Sequence, residues 1–358
     1  MASHSTTRKT TRTPAGRALG WSLGLVGALC LTAVYAAGVG SLEIPRTDVA
    51  AIVLQNALEN LETIGIEAPT LHAGPDYHET VVLDIRLPRV AVGATAGFAL
   101  GAAGAVMQGF FRNPMADPTI VGVSSGAAVG AVAVIALSIP VNLHLAAFAG
   151  ALVTAFGVYA LATHDGRTGV ADLLLAGVAV QMFLGAVVSL MIYTSDDHAM
   201  RTAVYWLMGN LSHQNWSEFA VSAPVVALGF AVMMHRSAAL NLLAVGERQA
   251  HTLGVDVDRT RDVLLAVSSL VTAAAVAVVG VVGFVGLVVP HAMRLVVGPD
   301  HRVLVPASAV GGATFLVGVD GLARDVTGGG ELPIGVVTAL AGVPFFLYLL
   351  RKRGAYDL

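Results

Sequence analysis

The 358-residue sequence predicts an all-α integral membrane protein with about ten transmembrane helices. Hydrophobic residues make up 56% of the chain and charged residues only 12%, about half of the charged share in a typical soluble domain. The apolar residues also occur in blocks of roughly 20, the length that an α-helix needs to cross a bilayer. Most of the protein surface must therefore face lipid or other helices rather than water.

The first apolar block, 18–40, contains no charged residue. A signal peptide is the alternative, but its apolar core would be about 7–15 residues long, so the longer block favours a membrane anchor. Nine further blocks complete the prediction: 90–111, 119–139, 143–162, 169–193, 217–235, 262–284, 286–298, 302–322 and 333–350. The block 286–298 is too short to cross alone, so we expect it to stop part way or to tilt between neighbours that cover its ends.

Ten spans place both termini on one side of the membrane, and the basic residues indicate which side. With cytoplasmic termini, five of the 20 basic residues lie outside, namely Arg46, Arg86, Arg89, Arg201 and Arg324. Cytoplasmic loops are enriched in Lys and Arg, so both termini are predicted to be cytoplasmic. The chain then consists of an N-terminal tail (1–17), a single transmembrane domain (18–350) and a C-terminal tail (351–358).

Two polar segments interrupt this domain. The predicted extracellular loop 41–84 is acidic, and Ile52, Leu58 and Leu61 within it fall near helical spacing. This pattern fits a short amphipathic helix on the outer surface, and an ordinary solvated loop is the alternative. The segment 236–261 is predicted to be cytoplasmic. From Gly246 onward it is predicted to form one or two short polar helices between glycines, and an ordinary solvated loop is the alternative.

The order of the predicted helices also indicates a repeat. Helices two to five and seven to ten form two sets of four that enter the membrane from opposite sides, as in transporters with inverted repeats. In the second helix, Gly93, Gly97 and Gly101 recur every four residues. They share one helix face and predict close packing against another helix.

The sequence gives little support for catalysis. The string Gly122-Val123-Ser124-Ser125-Gly126 matches the G-x-S-x-G pattern of serine hydrolases, but that motif needs a strand–turn–helix setting with a histidine and an acid. Here it lies in a predicted membrane helix, so small-residue packing is the favoured interpretation. We therefore predict no catalytic residue, although an intramembrane hydrolase that uses Ser124 or Ser125 stays as an alternative.

Cofactors and nucleotide binding are equally hard to place. The single cysteine, Cys30, and the absence of H-E-x-x-H spacing predict no metal site and no cofactor in this chain. The two lysines, Lys9 and Lys352, lie outside any Gly-Lys-Ser/Thr motif, so the chain cannot be an ATPase of the P-loop type. An ion-coupled secondary transporter would place acids within its helices, and the two candidates, Asp172 and Asp320, lie near predicted helix ends.

Several strings occur together and in a fixed order: Arg86-Leu87-Pro88-Arg89, the run from Gln108 to Pro118 with Arg112-Asn113-Pro114, Gly122 to Gly126, Trp206-Leu207-Met208-Gly209, Gly246-Glu247, Gly283 to His291, Asp300-His301-Arg302 and Glu331 to Thr338. On these strings, which span roughly residues 86–350, the chain resembles the vitamin B12 and iron-siderophore permease family of ABC importers. The resemblance implies the inverted-repeat architecture of a type II ABC importer permease in the cell membrane.

The resemblance also implies partners and cargo. We expect a homodimer of permeases that binds two cytoplasmic ATP-binding subunits and one extracellular substrate-binding protein, with membrane lipid around it and no nucleic acid. ATP would be hydrolysed in the partner chain. The implied cargo is a metal chelate, with cobalamin (vitamin B12) preferred and ferric siderophore or haem as alternatives.

Three sets of site residues follow from the resemblance. The implied ATPase-coupling residues are Gly246, Glu247, Arg248, Gln249, His251, Leu253 and Gly254. The implied docking residues for the binding protein are Arg86, Arg89 and Arg324, which we expect to be exposed charges that steer an acidic partner. The implied pathway residues are Gly177, Gln181, Leu184 and Gly185 on the fifth helix and Gly335, Thr338 and Gly342 on the tenth.

Overall fold

The computed structural model describes residues 14–62, 74–164, 167–212, 214–327 and 331–353. The helices are α1 (Pro14–Gly38), α2 (Arg46–Glu62), α3 (Asp76–Thr80), α4 (Leu87–Phe110), α5 (Val123–Ala136), α6 (Leu143–Ala162), α7 (Val170–Thr194), α8 (Asp197–Leu207), α9 (Trp216–Val245), α10 (Glu247–Thr252), α11 (Val257–Val279), α12 (Val285–Val297), α13 (His301–Val326) and α14 (Ile334–Arg353). A π-helical segment (Val81–Arg86) joins α3 to α4, and a 3₁₀ turn (Pro118–Val121) precedes α5. Two antiparallel strands, β1 (Thr163–His164) and β2 (Arg167–Thr168), link α6 to α7.

The predicted all-α membrane fold is confirmed. Within the described residues, seven helices are long and apolar enough to cross a membrane, and three further apolar helices, α5, α12 and α14, occupy the remaining predicted spans. We call the end of the bundle where α1 ends and α4 begins the outer end, after the predicted orientation, and the opposite end the inner end.

Several boundaries differ from the prediction. The second span starts earlier, because α3 and the π-helical segment extend α4 into one continuous helix, Asp76–Phe110. Helix α9 continues ten residues beyond 235, into the segment predicted to be a polar loop. Helix α8 was not predicted, because long apolar blocks identify spanning helices and α8 has only 11 residues, with polar side chains in its first half. The predicted helix around Ile52–Leu61 is present as α2.

The predicted tails fall largely outside the described residues. Helix α1 already begins at Pro14 and α14 continues to Arg353, so each helix extends a few residues into the tail predicted beside it.

Polar side chains define where several helices begin. Asn142, Asp196, Asp256 and Asp300 have extended backbone and accept hydrogen bonds from N–H groups of the first turns of α6, α8, α11 and α13. A side-chain acceptor satisfies one of the N–H groups that the first turn leaves without a partner. These caps fix the loops at the membrane surface, where the chain reverses.

Helix α4 forms the centre of the molecule, and every residue from Ala99 to Phe110 is buried. It packs against α13 through the predicted glycines: a Cβ at Gly97 would collide with the carbonyl oxygen of Gly312, and a Cβ at Gly101 with that of Ser308. Small residues let helix backbones approach closely in lipid, where the hydrophobic effect does not drive helices together. The predicted role of this glycine face is confirmed.

Helix lengths repeat between the two predicted sets. In each set a long helix (α4 or α11) is followed by a non-helical break, a short helix of 14 or 13 residues (α5 or α12), and two longer helices. Both breaks are covered by protein, since Pro118 and Val121 are buried in the first and Val282 in the second. Irregular backbone at membrane depth requires such cover.

Candidate functional site

The outer end contains four charged residues, which we call the outer ion cluster: Arg89, Asp320 and Arg324, whose side chains are largely buried, and Glu331, whose side chain is 41% exposed. Arg89 lies near the start of α4, and its Nη2 is 2.8 Å from Oδ1 of Asp320 on α13. Its Nη1 is 2.9 Å from Oε1 of Glu331. Arg324, one helical turn after Asp320, is 2.9 Å from the second carboxylate oxygen of Asp320. Pairing of this kind is what allows charged residues to stay inside a membrane protein.

The expectation that Arg86, Arg89 and Arg324 are exposed is wrong. Arg86 is only 6% exposed and Arg324 only 5%. Arg86 donates hydrogen bonds to the carbonyl oxygens of Ala37, Gly38 and Leu42, and Arg324 donates to those of Ala36 and Val39. The two guanidinium groups therefore hold the segment that follows α1 against α4 and α13, which net charge counting could not reveal.

Three chain segments meet beside this cluster. The backbone N–H groups of Ile334 and Gly335, at the start of α14, donate to the carbonyl oxygens of Gly209 and Met208, each at 3.0 Å. The N–H of Asn210 donates to the carbonyl oxygen of Val279, at the end of α11, at 2.9 Å. The strings Trp206–Gly209 and Glu331–Thr338, far apart in the sequence, are therefore adjacent in the fold.

The break between α11 and α12 lies at this junction. Phe284, the residue before α12, has a left-handed backbone with φ of 69°, which is uncommon for a non-glycine residue. A Cβ at Gly342 of α14 would collide with the Phe284 side chain. Because Gly342 has no side chain, the Phe284 side chain can pack against α14.

Most of the predicted pathway residues pack within their own chain. On α7, Gly177 is buried against the carbonyl oxygen of Ile120, and Gln181 donates to that same oxygen at 2.7 Å. On α14, Thr338 is fully buried, and Gly335 lies against Met208. The burial of Gly177, Thr338 and Gly342 contradicts the prediction that they face an open pathway, whereas for the half-buried Gln181 and Gly335 it stays a prediction.

The exposed sides of α7 and α14 are apolar instead. Large exposed side chains on α7 are Leu175, Val178, Met182, Phe183, Leu190 and Tyr193, and on α14 Val336, Leu340, Val343, Leu347 and Tyr348. Gly185 is also exposed, with no atom near the position of a Cβ, and Leu184 is half-buried. The open faces of both helices are therefore formed mainly by residues other than the predicted ones.

The predicted coupling segment forms a compact knob at the inner end. Glu247, Arg248, Gln249, His251, Leu253 and Gly254 are all exposed, and Leu253 is 66% exposed. Ala250 is fully buried and anchors α10 to the bundle. Gly254 has φ of 83°, and the N–H of Val255 reaches back to the carbonyl oxygen of Ala250, which closes α10 with a left-handed glycine.

Two arginines hold this knob. The Glu247 carboxylate is 2.6 Å from Nη2 of Arg261 on α11 and 3.4 Å from Nη2 of Arg112, just past the end of α4. The knob is thereby linked to the central helix. Arg112 and Arg261 were not among the predicted site residues, because nothing in the sequence indicates that they share a carboxylate.

A second polar network lies nearby, at the start of α13. Asn241 of α9 accepts from the backbone N–H of His301 at 2.9 Å, lies 2.7 Å from its Nδ1, and donates to Asp300 at 2.6 Å. Burial raises the pKa of Asp300, but hydrogen bonds from Arg302 and Asn241 outweigh it, and the pKa lies below its usual value. The Asp300-His301-Arg302 string therefore serves to join α9 to α13.

The residues that suggested a hydrolase or an ion-coupled transporter pack or form ion pairs within the described part of the fold. Gly122 has φ of 84° and turns the chain into α5, while a Cβ at Gly126 would collide with Gly150 and Thr154 of α6. Asp320 is 2% exposed and paired with two arginines. Across the described residues, no group of three or more His, Cys, Asp or Glu side chains could hold a metal ion.

Comparison with known proteins agrees with this architecture. The model of the FecCD transport family matches residues 19–352. A cobalamin import system permease protein, BtuC, from Halobacterium salinarum is 56% identical over 81% of this chain and 79% of its own. A hemin transport system permease protein, HmuU, from Yersinia pestis is 42% identical over 76% of this chain and 83% of its own.

A solved structure shows a similar fold. It is assigned to a metal-chelate type ABC transporter in an inward-facing conformation, with a TM-score of 0.77 and 30% identity, and it covers 94% of this chain and 99% of its own. With the family model matched over almost the full length of the described helices, the chain belongs to the FecCD transport family.

Proposed function

We propose that this chain is the membrane-spanning permease subunit of a binding-protein-dependent ABC importer, and that it moves a metal chelate into the cell. The observation that carries the proposal is the 56% identity to a cobalamin import permease over 81% of the chain. The broken helices α4–α5 and α11–α12 support it, because transporters commonly place their pathway at such discontinuous helices. Cobalamin is the preferred cargo, and haem or a ferric siderophore is the alternative.

The proposed assembly contains two copies of the chain in the cell membrane, with both termini in the cytoplasm. The exposed apolar faces of α7 and α14 are the surfaces we assign to the partner copy and to the pathway. An apolar, uncharged lining suits a bulky chelate that is handed over without tight binding. Lipid covers the remaining outer faces, such as that of α6 with Leu145, Val153 and Phe156 exposed.

Energy is proposed to come from two cytoplasmic ATP-binding subunits that bind the knob at residues 246–254. Its exposed Leu253 and buried Ala250 support this, because an apolar tip on a fixed base is suited to a cleft in a partner. Neither ATP hydrolysis nor a cofactor is assigned to this chain.

The extracellular substrate-binding protein is proposed to dock at the outer end. Of the three arginines, Arg89 has the most exposed side chain, at 12%, and it pairs with Glu331, whose side chain is 41% exposed. Arg86 and Arg324 contribute by fixing the rim around it. Substituting either buried arginine would therefore test folding rather than docking.

The test is uptake of labelled cobalamin, haem and a ferric siderophore by cells that have or lack this gene, with the wild-type gene returned as the control. Loss of cobalamin uptake alone, restored by the gene, is the expected result. Loss of only haem or siderophore uptake would reassign the cargo. If no uptake changed while the protein was present in the membrane and no other importer was active, the proposed function would be wrong.

A further inference from the structure

The Glu331 carboxylate connects three parts of the outer end. One oxygen accepts from Nη1 of Arg89 on α4 at 2.9 Å. The other accepts a short hydrogen bond from Ser212, before α9, and lies 3.4 Å from the hydroxyl of Tyr205 on α8. Glu331 itself lies three residues before α14. A single side chain therefore joins the start of α14 to α4 and to the α8–α9 connection.

The two carboxylates on Arg89 differ in how easily they can be replaced. Asp320 receives both Nε and Nη2 of Arg89, and its side chain is 3% exposed. Glu331 receives only Nη1, and its side chain is 41% exposed. Exposed ion pairs contribute little, about 0–1 kcal/mol, whereas breaking a buried pair is strongly unfavourable. An incoming carboxylate would therefore displace Glu331 and leave Asp320 in place.

We propose that Glu331 is an intrachain stand-in for a carboxylate of the docking protein, and that docking releases α14 by displacing it from Arg89. This inference rests on the proposed function, because it assumes a partner with an acidic docking surface. A carboxylate from that partner would take the Nη1 position of Arg89. Glu331 would then leave Ser212 and Tyr205 as well, since its two oxygens cannot stay on these groups once the side chain swings out.

The release would act on the start of α14. With Glu331 in place, the residues before α14 are tied to the α8–α9 connection by side-chain bonds and by the backbone bonds from Ile334 and Gly335. Without it, the side-chain bond to Ser212 is lost, while the backbone bonds from Ile334 and Gly335 remain. Docking would thus loosen α14 at its outer end, on the side where its apolar face is proposed to line the pathway.

The first test measures the affinity of the binding protein for the permease, reconstituted with its ATP-binding subunits in nanodiscs. The probe is the purified substrate-binding protein for which the wild-type complex shows saturable binding. Glu331→Gln keeps the size of the side chain and one acceptor oxygen but removes the competing charge, so we expect binding to tighten about two- to fivefold, the upper part of the range of one exposed ion pair. Glu79→Gln is the matched control, because Glu79 is exposed at the same end and lies outside the cluster.

A second variant and a second readout keep the inference testable if Glu331→Gln folds poorly. Ser212→Ala leaves the carboxylate but removes one donor, and should tighten binding by a smaller factor. Hydrogen exchange should be faster in Glu331→Gln than in wild type at the amides of Ile334 and Gly335, and docking on wild type should speed the same amides. Slower exchange at these amides on docking would overturn the release of α14.

The possible results distinguish competition by Glu331 from docking of the binding protein itself. Equal affinity of Glu331→Gln and Glu79→Gln would overturn the competition while leaving the proposed function intact. If the wild-type complex bound no candidate binding protein of the source genome, the docking part of the proposed function would fail, and the role of Glu331 with it.

Discussion

Gly97 of α4 and Gly312 of α13 face each other where the two helices cross, and each fits only because the other lacks a side chain. A Cβ on either residue would collide with the carbonyl oxygen of the other. Neither backbone can move without disturbing the centre of the bundle, since this part of α4 is surrounded by α9, α11 and α12 as well. Even one added methyl group should not fit where the two helices cross.

Gly97→Ala should therefore destabilise the protein by about 1–3 kcal/mol, the range for overpacking a tight core. Gly157→Ala in α6 is the matched control, because nothing lies within 4 Å of the Cβ position there. Alanine is also the better helix former, so the control should be neutral or slightly stabilising. The measurement is the thermal unfolding midpoint in detergent, and an equal midpoint for both variants would contradict the packing argument.

Gly109 presents a different constraint, from a side chain rather than a backbone. A Cβ on Gly109 would lie 2.5 Å from Nε2 of His301. The imidazole cannot turn away freely, because Nδ1 lies 2.7 Å from the side-chain oxygen of Asn241, whose amide group in turn donates to Asp300. Two strings almost two hundred residues apart, Gln108-Gly109 and Asp300-His301, thus form one packing unit.

We expect Gly109→Ala to lower the unfolding midpoint in the wild-type background and to lower it much less in the His301→Ala background. Removing the imidazole makes room for the new methyl group, so the two substitutions should couple by about 0.5–3 kcal/mol. A double-mutant cycle on the unfolding midpoint measures this coupling. Additive effects would show that the collision is relieved in some other way.

The residue scale also shows what the sequence alone could and could not predict. The glycine face of α4 was predictable because its spacing repeats every four residues. The partners of Arg89 were not, because Asp320 and Glu331 lie 231 and 242 residues away. A count of basic residues placed Arg86, Arg89 and Arg324 at the outer end, but it carried no information on their burial.

At the scale of elements, the knob that contains α10 is held by one carboxylate. Glu247 bridges Arg261 and Arg112, while Ala250 is buried against the bundle. A force applied to the exposed tip would reach α11 and the end of α4 through these contacts. The knob is consequently held rigidly at its base, so that a displacement of its tip would be passed on to α11 and to the end of α4.

Arg261→Glu should reduce transport-coupled ATP hydrolysis several-fold, because it places two carboxylates together and detaches the base of the knob. The reversed pair, Glu247→Arg with Arg261→Glu, should restore part of the activity, although Arg112 would then repel the new arginine. ATP hydrolysis and uptake in proteoliposomes measure both effects. If the reversed pair had no more activity than Arg261→Glu alone, Glu247 would act through contacts with the partner subunit rather than through its salt bridge with Arg261.

The sequences of α7 and α14 do not indicate which face of each helix is buried. Each is apolar all round, so the sequence gives no contrast between a buried and an open face. The family resemblance implied that Gly177 and Gln181 on α7, and Thr338 and Gly342 on α14, line the pathway. In the structure they are small or polar because they pack against, or hydrogen-bond to, the same chain.

At the scale of the whole molecule, three apolar clusters meet around α4, and two of them also include α11. One joins α4 to α9, α11, α12 and α13, the second contains α5, α6 and α7, and the third joins α1 and α2 to the start of α4. The number, order and approximate bounds of the spans followed from hydropathy and charge. The assembly of these spans did not, because it depends on which small-residue faces match, and many helices here carry such faces.

The salt bridge between Arg89 and Asp320 has a consequence for how the protein is made. A ribosome that has just produced Arg89 must add 231 further residues before Asp320 exists. Helix α4 therefore arrives in the membrane early, with an arginine at its outer end whose counter-charges are still unsynthesised. Until α13 follows, that guanidinium must stay in water or among lipid headgroups, so α4 can reach its final depth only late in biogenesis, when the last quarter of the chain has been inserted.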